Sequence, residues 1–386
     1  MENQNKETIP EKFKDFSAEF TVHAPGRINL IGEHTDYNNG FVLPTAIDKR
    51  INIHFAANST PYSCNIYSKT YGKNFSFDLQ KISRSEEDWE NYILGVVNEI
   101  QKRGKFPKGF DCIIESDLPV GAGISSSAAL ESGIAFGLNE LFDLQLSRQS
   151  IAELSRDAEH NYVGTKCGIM DQYASVLSKE GHLILLDCRS LEAVYVPATF
   201  ENHKLLLLNT MVSHSLASSE YNTRRQECEQ AVNHIKERYP EVNSLREVNL
   251  SRLAEFKNSL PQLLYKRAHY VVSENDRVLK AVEAIKQGDL EQFGSLMYDS
   301  HKGLRDNYEV SCEELDFLVD LTTDYKPVKG ARMMGGGFGG CTINLIEEDH
   351  VEEFIKVASE AYREQFNITP EAIVVSPEQG TYLTRN

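Results

Sequence analysis

The chain has 386 residues, long enough for two domains that share a cleft, and its 41% hydrophobic and 25% charged content is ordinary for a globular protein. A balance of 40 basic against 57 acidic residues gives a net charge of -17, which argues against a nucleic-acid or anionic-membrane partner. It leaves a nucleotide site open, because such a site needs only local positive potential.

No apolar run approaches the length of a membrane span, and residues 1–16 mix acids and bases without the apolar stretch of a signal peptide, so a cytoplasmic location is expected. The seven cysteines are odd in number, widely spaced and lack a Cys-x-x-Cys pair. They predict buried free thiols in a reducing compartment rather than a disulfide framework or a zinc site.

In chain order, the first dense stretch is Phe20 to Gly40 (FTVHAPGRINLIGEHTDYNNG). Ala24-Pro25-Gly26 signals a turn, Ile28 to Ile31 a brief strand, and Asn38-Asn39-Gly40 another turn. Glu33, His34, Thr35 and Asp36 cannot all face a core without four buried partners. The stretch therefore reads either as an exposed polar loop or as a site where carboxylates accept hydrogen bonds from a polyol, with Arg27 aimed at charge. Residues 41–55 and 62–77 alternate as strands, and Trp89, Ile93, Val96, Val97 and Ile100 mark a helix ending near Gly104.

The chain is organised around Leu118 to Leu130 (LPVGAGISSSAAL). A strand, 110–117, precedes it, and Leu130, Ile134, Leu138 and Leu141 recur at helical spacing after it. Glycines let the backbone approach a ligand, and serines satisfy the free N–H groups of a helix start. No acid occupies the first turn before Glu131, which leaves the helix dipole for an outside anion. A capped connection is the plain alternative. The absence of a following Lys excludes the G-x-x-x-x-G-K-[ST] nucleotide loop, and hydroxyls beside a phosphate cradle can also ligand magnesium.

A helix opened by Ser147 leads to Glu159, and Gly164 to Tyr173 sets Asp171 in a glycine-flanked loop. Two acids near a phosphate cradle suggest a division of labour, one for a metal and one for the acceptor's proton; a surface acid and a turn cap are the alternatives. Strands follow at 182–188 and 204–209, and the domain change is placed near residue 200, giving 1–200 and 201–386. From Ser218 a helix carries Tyr221, Arg224 and Arg225 in its first turns, where the arginines oppose the dipole and point either to an anion or to surface acids. Helices follow at 263–286, 290–304 and 312–321, then an amphipathic helix at 351–366 and a last strand at 372–376. Gly335-x-Gly337-x-x-Gly340 matches a dinucleotide fingerprint in form, but it precedes a strand and opens no helix. Its excess of glycine is better explained by a loop pressed against a ligand or against the 118–130 loop.

With these pieces assembled, the chain resembles the galactokinase family, within the superfamily of small-molecule kinases named for galactose, homoserine, mevalonate and phosphomevalonate. Three stretches carry the resemblance: Ala24 to Tyr37 is similar to the sugar-recognition signature, Leu118 to Leu130 to the phosphate loop, and Met333 to Cys341 to the glycine-rich third motif. The resemblance implies an α+β fold of two lobes with the active site in the cleft between them.

By position it also implies that Asp171 is the catalytic aspartate and that Arg27 stabilises charge and touches substrate. Glu33, His34, Thr35, Asp36 and Tyr221 would bind the sugar. Gly121, Ala122, Gly123, Ile124, Ser125, Ser126 and Ser127 would hold the triphosphate with Ser68 as a nucleotide contact, and Ser127 and Glu159 would ligand Mg²⁺. The implied reaction moves the γ-phosphoryl of ATP to the C1 hydroxyl of α-D-galactose, giving galactose 1-phosphate and ADP at the first step of the Leloir route. Arg27 would favour the carboxylate form of Asp171. A non-catalytic galactose sensor is the first alternative, disfavoured by the complete Ser125-Ser126-Ser127 run and by Asp171; an N-acetylgalactosamine kinase is the second. The chain is expected as a monomer or weak homo-oligomer.

Overall fold

The computed structural model describes residues 9–119, 121–213 and 217–385. Val120, inside the expected phosphate loop, and most of the expected N-terminal tail lie outside the described residues. In chain order the elements are β1 (Phe20–Asn29), β2 (Phe41–Val42), β3 (Pro44–Ala57), β4 (Ser63–Ser68), β5 (Lys73–Asp78), α1 (Asp88–Lys102), β6 (Phe110–Ser116), α2 (Ser126–Phe142), α3 (Arg148–Ala158), α4 (Met170–Leu177), β7 (His182–Asp187) and β8 (Glu192–Pro197). There follow β9 (His203–Ser213), α5 (Ala217–Lys236), α6 (Leu250–Ala254), α7 (Gln262–Gln287), α8 (Leu290–Gly303), α9 (Glu313–Thr323), β10 (Val328–Met333), β11 (Gly339–Glu347), α10 (Val351–Phe366), β12 (Glu371–Val375), β13 (Pro377–Glu378) and β14 (Tyr382–Arg385).

One sheet runs β14-β1-β3-β6-β4-β5 with β13 added on β3; a second runs β10-β11-β9-β12; a third, small one runs β2-β7-β8. The fold is thus the expected α+β type in two lobes. The first sheet is antiparallel except for the parallel β4–β6 pair. Helix α2 lies across β1 and β3, and small residues let it approach: a Cβ at Gly137 would sit 2.1 Å from the Phe55 ring, and one at Gly133 2.7 Å from Ile53. That close seating fixes where the start of α2 points. The seven cysteines are free, five of them buried.

The stretch Ala24-Pro25-Gly26 is not a turn. It lies inside β1, whose register against β3 shifts between Pro25 and Arg27. Pro25 cannot donate to a ladder. A side chain at Gly26 would collide with Leu118 at 2.6 Å and the Ile124 carbonyl at 2.8 Å. An irregularity of this kind re-aims the next side chain, and here that side chain is Arg27. The expected strand at 41–55 is two, because β2 leaves to pair with β7 before β3 begins. Helix α3 gives way to a wider turn over Glu159–Val163 that closes on Gly164 at φ +107°.

Candidate active site

Glu33, His34, Thr35 and Asp36 are all buried, at 1%, 3%, 0% and 7% exposure. The exposed-loop reading is therefore overturned, because each finds the buried partner that the sequence did not reveal. Glu33 Oε1 accepts from Arg332 Nη2 (2.8 Å) and from the Gly335 amide (2.9 Å). Thr35 Oγ1 meets the carbonyls of Gly32 (2.8 Å) and Phe41 (2.6 Å), so it shapes the loop and does not line the cavity. Asp36 Oδ1 accepts from the Tyr37 amide (2.9 Å), and its other oxygen lies where a Gly168 Cβ would be, 1.9 Å away. His34 holds φ +62° with its ring nitrogens 2.8 Å from Tyr37 Oη and 3.1 Å from the Gly336 carbonyl.

The loop is held from outside by α7. Tyr270 Oη donates to the Glu33 carbonyl (3.0 Å), Glu274 Oε1 accepts from Gly32 N (3.0 Å), and Asn275 Oδ1 accepts from Phe41 N (2.8 Å).

Arg27 and Asp171 form a two-pronged pair. Arg27 Nε reaches Asp171 Oδ1 at 2.7 Å and Nη2 reaches Oδ2 at 2.9 Å, while Nη1 donates to the Gly123 carbonyl at 2.7 Å. Burial works against the Arg27 charge, but Asp171 outweighs it and its pKa is raised. Ser125 was expected to cap α2. Instead it takes φ +58°, makes no side-chain cap, and donates Oγ to Asp171 Oδ2 at 2.5 Å. Among the described residues no side chain caps the first amides of α2, and its first turn holds no acid, the arrangement that suits an incoming anion.

Two cavities flank this loop. A polar one of about 120 Å³ is lined by Arg27, Glu33, His34, Asp36, Glu159, Asp171 and Tyr221, among others. A larger one of about 290 Å³ is lined by Ser68, Ser126 and Ser127 together with Tyr71, Trp89 and Tyr92. The third motif closes on the loop: it joins β10 to β11 as a hairpin and leads into a strand, not a helix, and a Cβ at Gly335 (φ +84°) would meet the Gly123 carbonyl at 3.2 Å. At Gly337, also φ +84°, it would strike the Val310 carbonyl at 2.1 Å. Arg224 and Arg225 line neither of these cavities. Arg224 donates to the Tyr308 and Glu309 carbonyls and pairs with Glu220, and Arg225 pairs with Glu229.

The polar cavity is crowded with acid. Burial, then the charge of Asp171, pushes Asp36 up to about 7. The same two causes push Glu159 up to about 7. Burial holds His34 down to about 3. Glu131 is raised well above the carboxylate range by burial and by Glu159. Gln172 Nε2 joins these acids, donating to Glu159 Oε2 (2.8 Å) and Glu131 Oε2 (3.3 Å), and Glu131 Oε1 is buried without a partner among the described residues.

Among the described residues no three His, Cys, Asp or Glu converge as a metal cage. Magnesium is commonly held by one or two protein oxygens plus substrate phosphates, and Ser127 and Glu159 are hard oxygen donors of that kind. They line different cavities on either side of the loop. The residues fit the ion in number and chemistry.

Sequence reasoning missed Arg332, Tyr71, Trp89, Tyr92, Glu131 and Gln172. Arg332 stands immediately before the glycine-rich third motif, and Trp89, the chain's single Trp, was read only as a helix marker. Nothing in the order of residues marks Gln172 or Tyr92.

Family models match in three places: the galactokinase galactose-binding signature at residues 11–57, the GHMP kinases N terminal domain at 91–179 and the GHMP kinases C terminal at 281–364. A galactokinase of Thermotoga neapolitana is 43% identical over 347 residues, covering 90% of this chain and 95% of that protein. One of Chloroflexus aurantiacus is 44% identical over 88% of this chain and 87% of its own length. The crystal structure of Lactococcus lactis galactokinase complexed with galactose superposes with a TM-score of 0.91 at 33% identity, covering 94% of each chain. Mevalonate kinase of Methanococcus jannaschii, at 19% identity and a TM-score of 0.64 over 94% of this chain and 99% of its own, shares the fold. In this chain the sugar signature and phosphate loop meet at one ion pair and the glycine-rich hairpin lines the same cavity, and with these likenesses they establish that it belongs to the galactokinase family of the GHMP kinases.

Proposed function

We propose that this chain transfers the γ-phosphoryl of ATP to the C1 hydroxyl of α-D-galactose, and that the residues around the Arg27–Asp171 pair carry the reaction. One observation supports this most: the pair stands at the junction of a polar cavity and a serine-lined one, tied to the loop between them through Gly123 and Ser125.

Galactose would occupy the polar cavity, with Glu33 and Asp36 accepting from its hydroxyls and Tyr221 covering it. The nucleotide would occupy the larger cavity, its base against Tyr71 and Trp89 and its phosphates on the 121–127 loop and the start of α2. Asp171 would orient the acceptor hydroxyl and take its proton as the oxygen–phosphorus bond forms and the bond to ADP breaks. Arg27 would offset charge at the reacting oxygen. Ser127 and Glu159 would hold Mg²⁺, which when bound supplies charge neutralisation on the phosphates.

We also place the lobe boundary near residue 200, where the second sheet begins with β9 at His203, although β13 and β14 return to the first sheet. No helix among the described residues is long and apolar enough to cross a membrane; a cytoplasmic setting and a monomer or weak homo-oligomer complete the reading. The test is ADP release in a coupled assay with galactose, N-acetylgalactosamine, glucose and mevalonate in turn. Release with galactose above the others supports the proposal. A preference for N-acetylgalactosamine, or binding of galactose without release, overturns it.

A further inference from the structure

Through Tyr37, His34 is joined to two groups that none of the three motifs contains, Tyr308 and Cys228. Its Nδ1 lies 2.8 Å from Tyr37 Oη, Tyr37 Oη lies 2.7 Å from Tyr308 Oη, and Tyr308 Oη lies 3.2 Å from Cys228 Sγ. On the other side of the ring, Nε2 faces the Gly336 carbonyl at 3.1 Å.

A carbonyl oxygen only accepts, so Nε2 must carry a proton. Burial keeps the imidazole neutral, with Arg224 and Arg332 adding to that effect, so Nδ1 is bare and Tyr37 must donate to it. The single Tyr37 proton is then spent, and its oxygen can only accept from Tyr308. By the same count Tyr308 accepts from the Cys228 thiol. One carbonyl orders every proton along the row. The far end of the row is dry: Tyr308 and Cys228 are 0% and 1% exposed, so no water competes for those two positions.

We propose that this chain of hydrogen bonds holds His34 as its Nε2–H tautomer and makes it a donor-only group in the sugar cavity, with Tyr37 and Tyr308 as positioning residues for galactose. The inference rests on the sugar-site reading above. A sugar hydroxyl reaching the ring must offer its oxygen to Nε2–H, sharing or replacing Gly336, while its own proton goes to a carboxylate such as Asp36 or the free oxygen of Glu33. A hydrogen at that position of the sugar would leave Nε2–H with the Gly336 carbonyl alone, and a pure donor there would meet another donor. The left-handed backbone at His34, φ +62°, is the kind of unfavourable conformation that surrounding contacts must maintain.

The test begins with the full-length protein, nitrogen-labelled at histidine and free of ligand, studied by long-range proton–nitrogen NMR near neutral pH. The His34 signals are identified by their loss in His34→Gln. A protonated Nε2 with a bare Nδ1 is expected; a protonated Nδ1, or both nitrogens protonated, overturns the proposal. In Tyr308→Phe the KM for galactose should rise roughly fivefold, the effect of losing about one neutral hydrogen bond, with kcat and the KM for ATP nearly unchanged. An unchanged galactose KM, or a loss confined to kcat, removes the positioning role. Tyr37→Phe leaves the Gly336 carbonyl to hold the proton on Nε2, so the same tautomer should persist while the KM for galactose rises; a protonated Nδ1 there contradicts the mechanism. Should Tyr308→Phe not fold, the wild-type spectrum still decides. Failure of the wild type to release ADP with galactose would sink the functional reading while leaving that spectrum to judge the tautomer.

Discussion

Replacing Asp171 by Asn separates what this residue does in the reaction from what it does for Arg27. Arg27 is 4% exposed and gives two of its nitrogens to the Asp171 carboxylate and a third to the Gly123 carbonyl. Hydrogen bonds to charged groups contribute about 1.5–3 kcal/mol each, and breaking a fully buried ion pair from one side costs about 3–5 kcal/mol. Asn keeps one acceptor for Arg27, and the Asp171 side chain is 25% exposed, which admits water to the orphaned charge. The loss of stability should therefore fall to about 2–4 kcal/mol, a drop in melting temperature of roughly 3–6 °C for a chain of this size. Turnover with galactose should fall about 100- to 10,000-fold, the usual contribution of a positioned proton acceptor.

The assay is coupled ADP release at saturating galactose, beside thermal unfolding of the same samples without ligand. Arg27→Met in the Asp171→Asn background removes the unpaired charge and should recover stability but not activity. Turnover of Asp171→Asn within about tenfold of the wild type would refute its role as proton acceptor. Melting unchanged in the single variant, or lower still in the double one, would refute the energetic argument.

Gly335→Ala should raise the KM for ATP, because its Cβ would press at 3.2 Å on the Gly123 carbonyl from a φ of +84°; Gly337→Ala, 2.1 Å from the Val310 carbonyl, should lower the melting temperature further than Gly335→Ala does. Trp89 is the chain's single Trp and lines the larger cavity, so its emission should change on titration with an ATP analogue, and Tyr71→Ala should weaken that binding about tenfold if a stacked base is lost.

Glu159 has a folded-state pKa of about 7, above its ordinary 4.5, so between those values the folded protein binds more protons than the unfolded one. Its contribution to stability therefore falls as pH rises through that window. Glu159→Gln should flatten the decline in unfolding experiments and raise the Mg²⁺ requirement for turnover. An equally steep decline in the variant would assign it to other groups.

Much of the architecture was legible in the residues. Apolar spacing placed α7, α8 and α10 within a residue or two of their observed ends, because each buries one face and the period of that face is a local property. The misreadings share one cause. Ala24-Pro25-Gly26 has the composition of a turn, yet β1 continues through it because β3 pairs along its length and Leu118 needs the space beside Gly26. Glu33 to Asp36 looked too polar to bury because Arg332 and Gly335 lie some three hundred positions away in sequence.

The order of residues determined by itself the three motifs, the free thiols and the glycine-rich loops, because each depends on neighbours within a few positions. Only the tertiary structure decided that Ser125 turns from helix capping to Asp171, that Arg332 neutralises Glu33, and which groups face the two ring nitrogens of His34. Those outcomes depend on side chains from distant elements meeting where water is excluded. There a lone charge or an unpaired donor is costly, and its partner is whichever group the packing brings within reach.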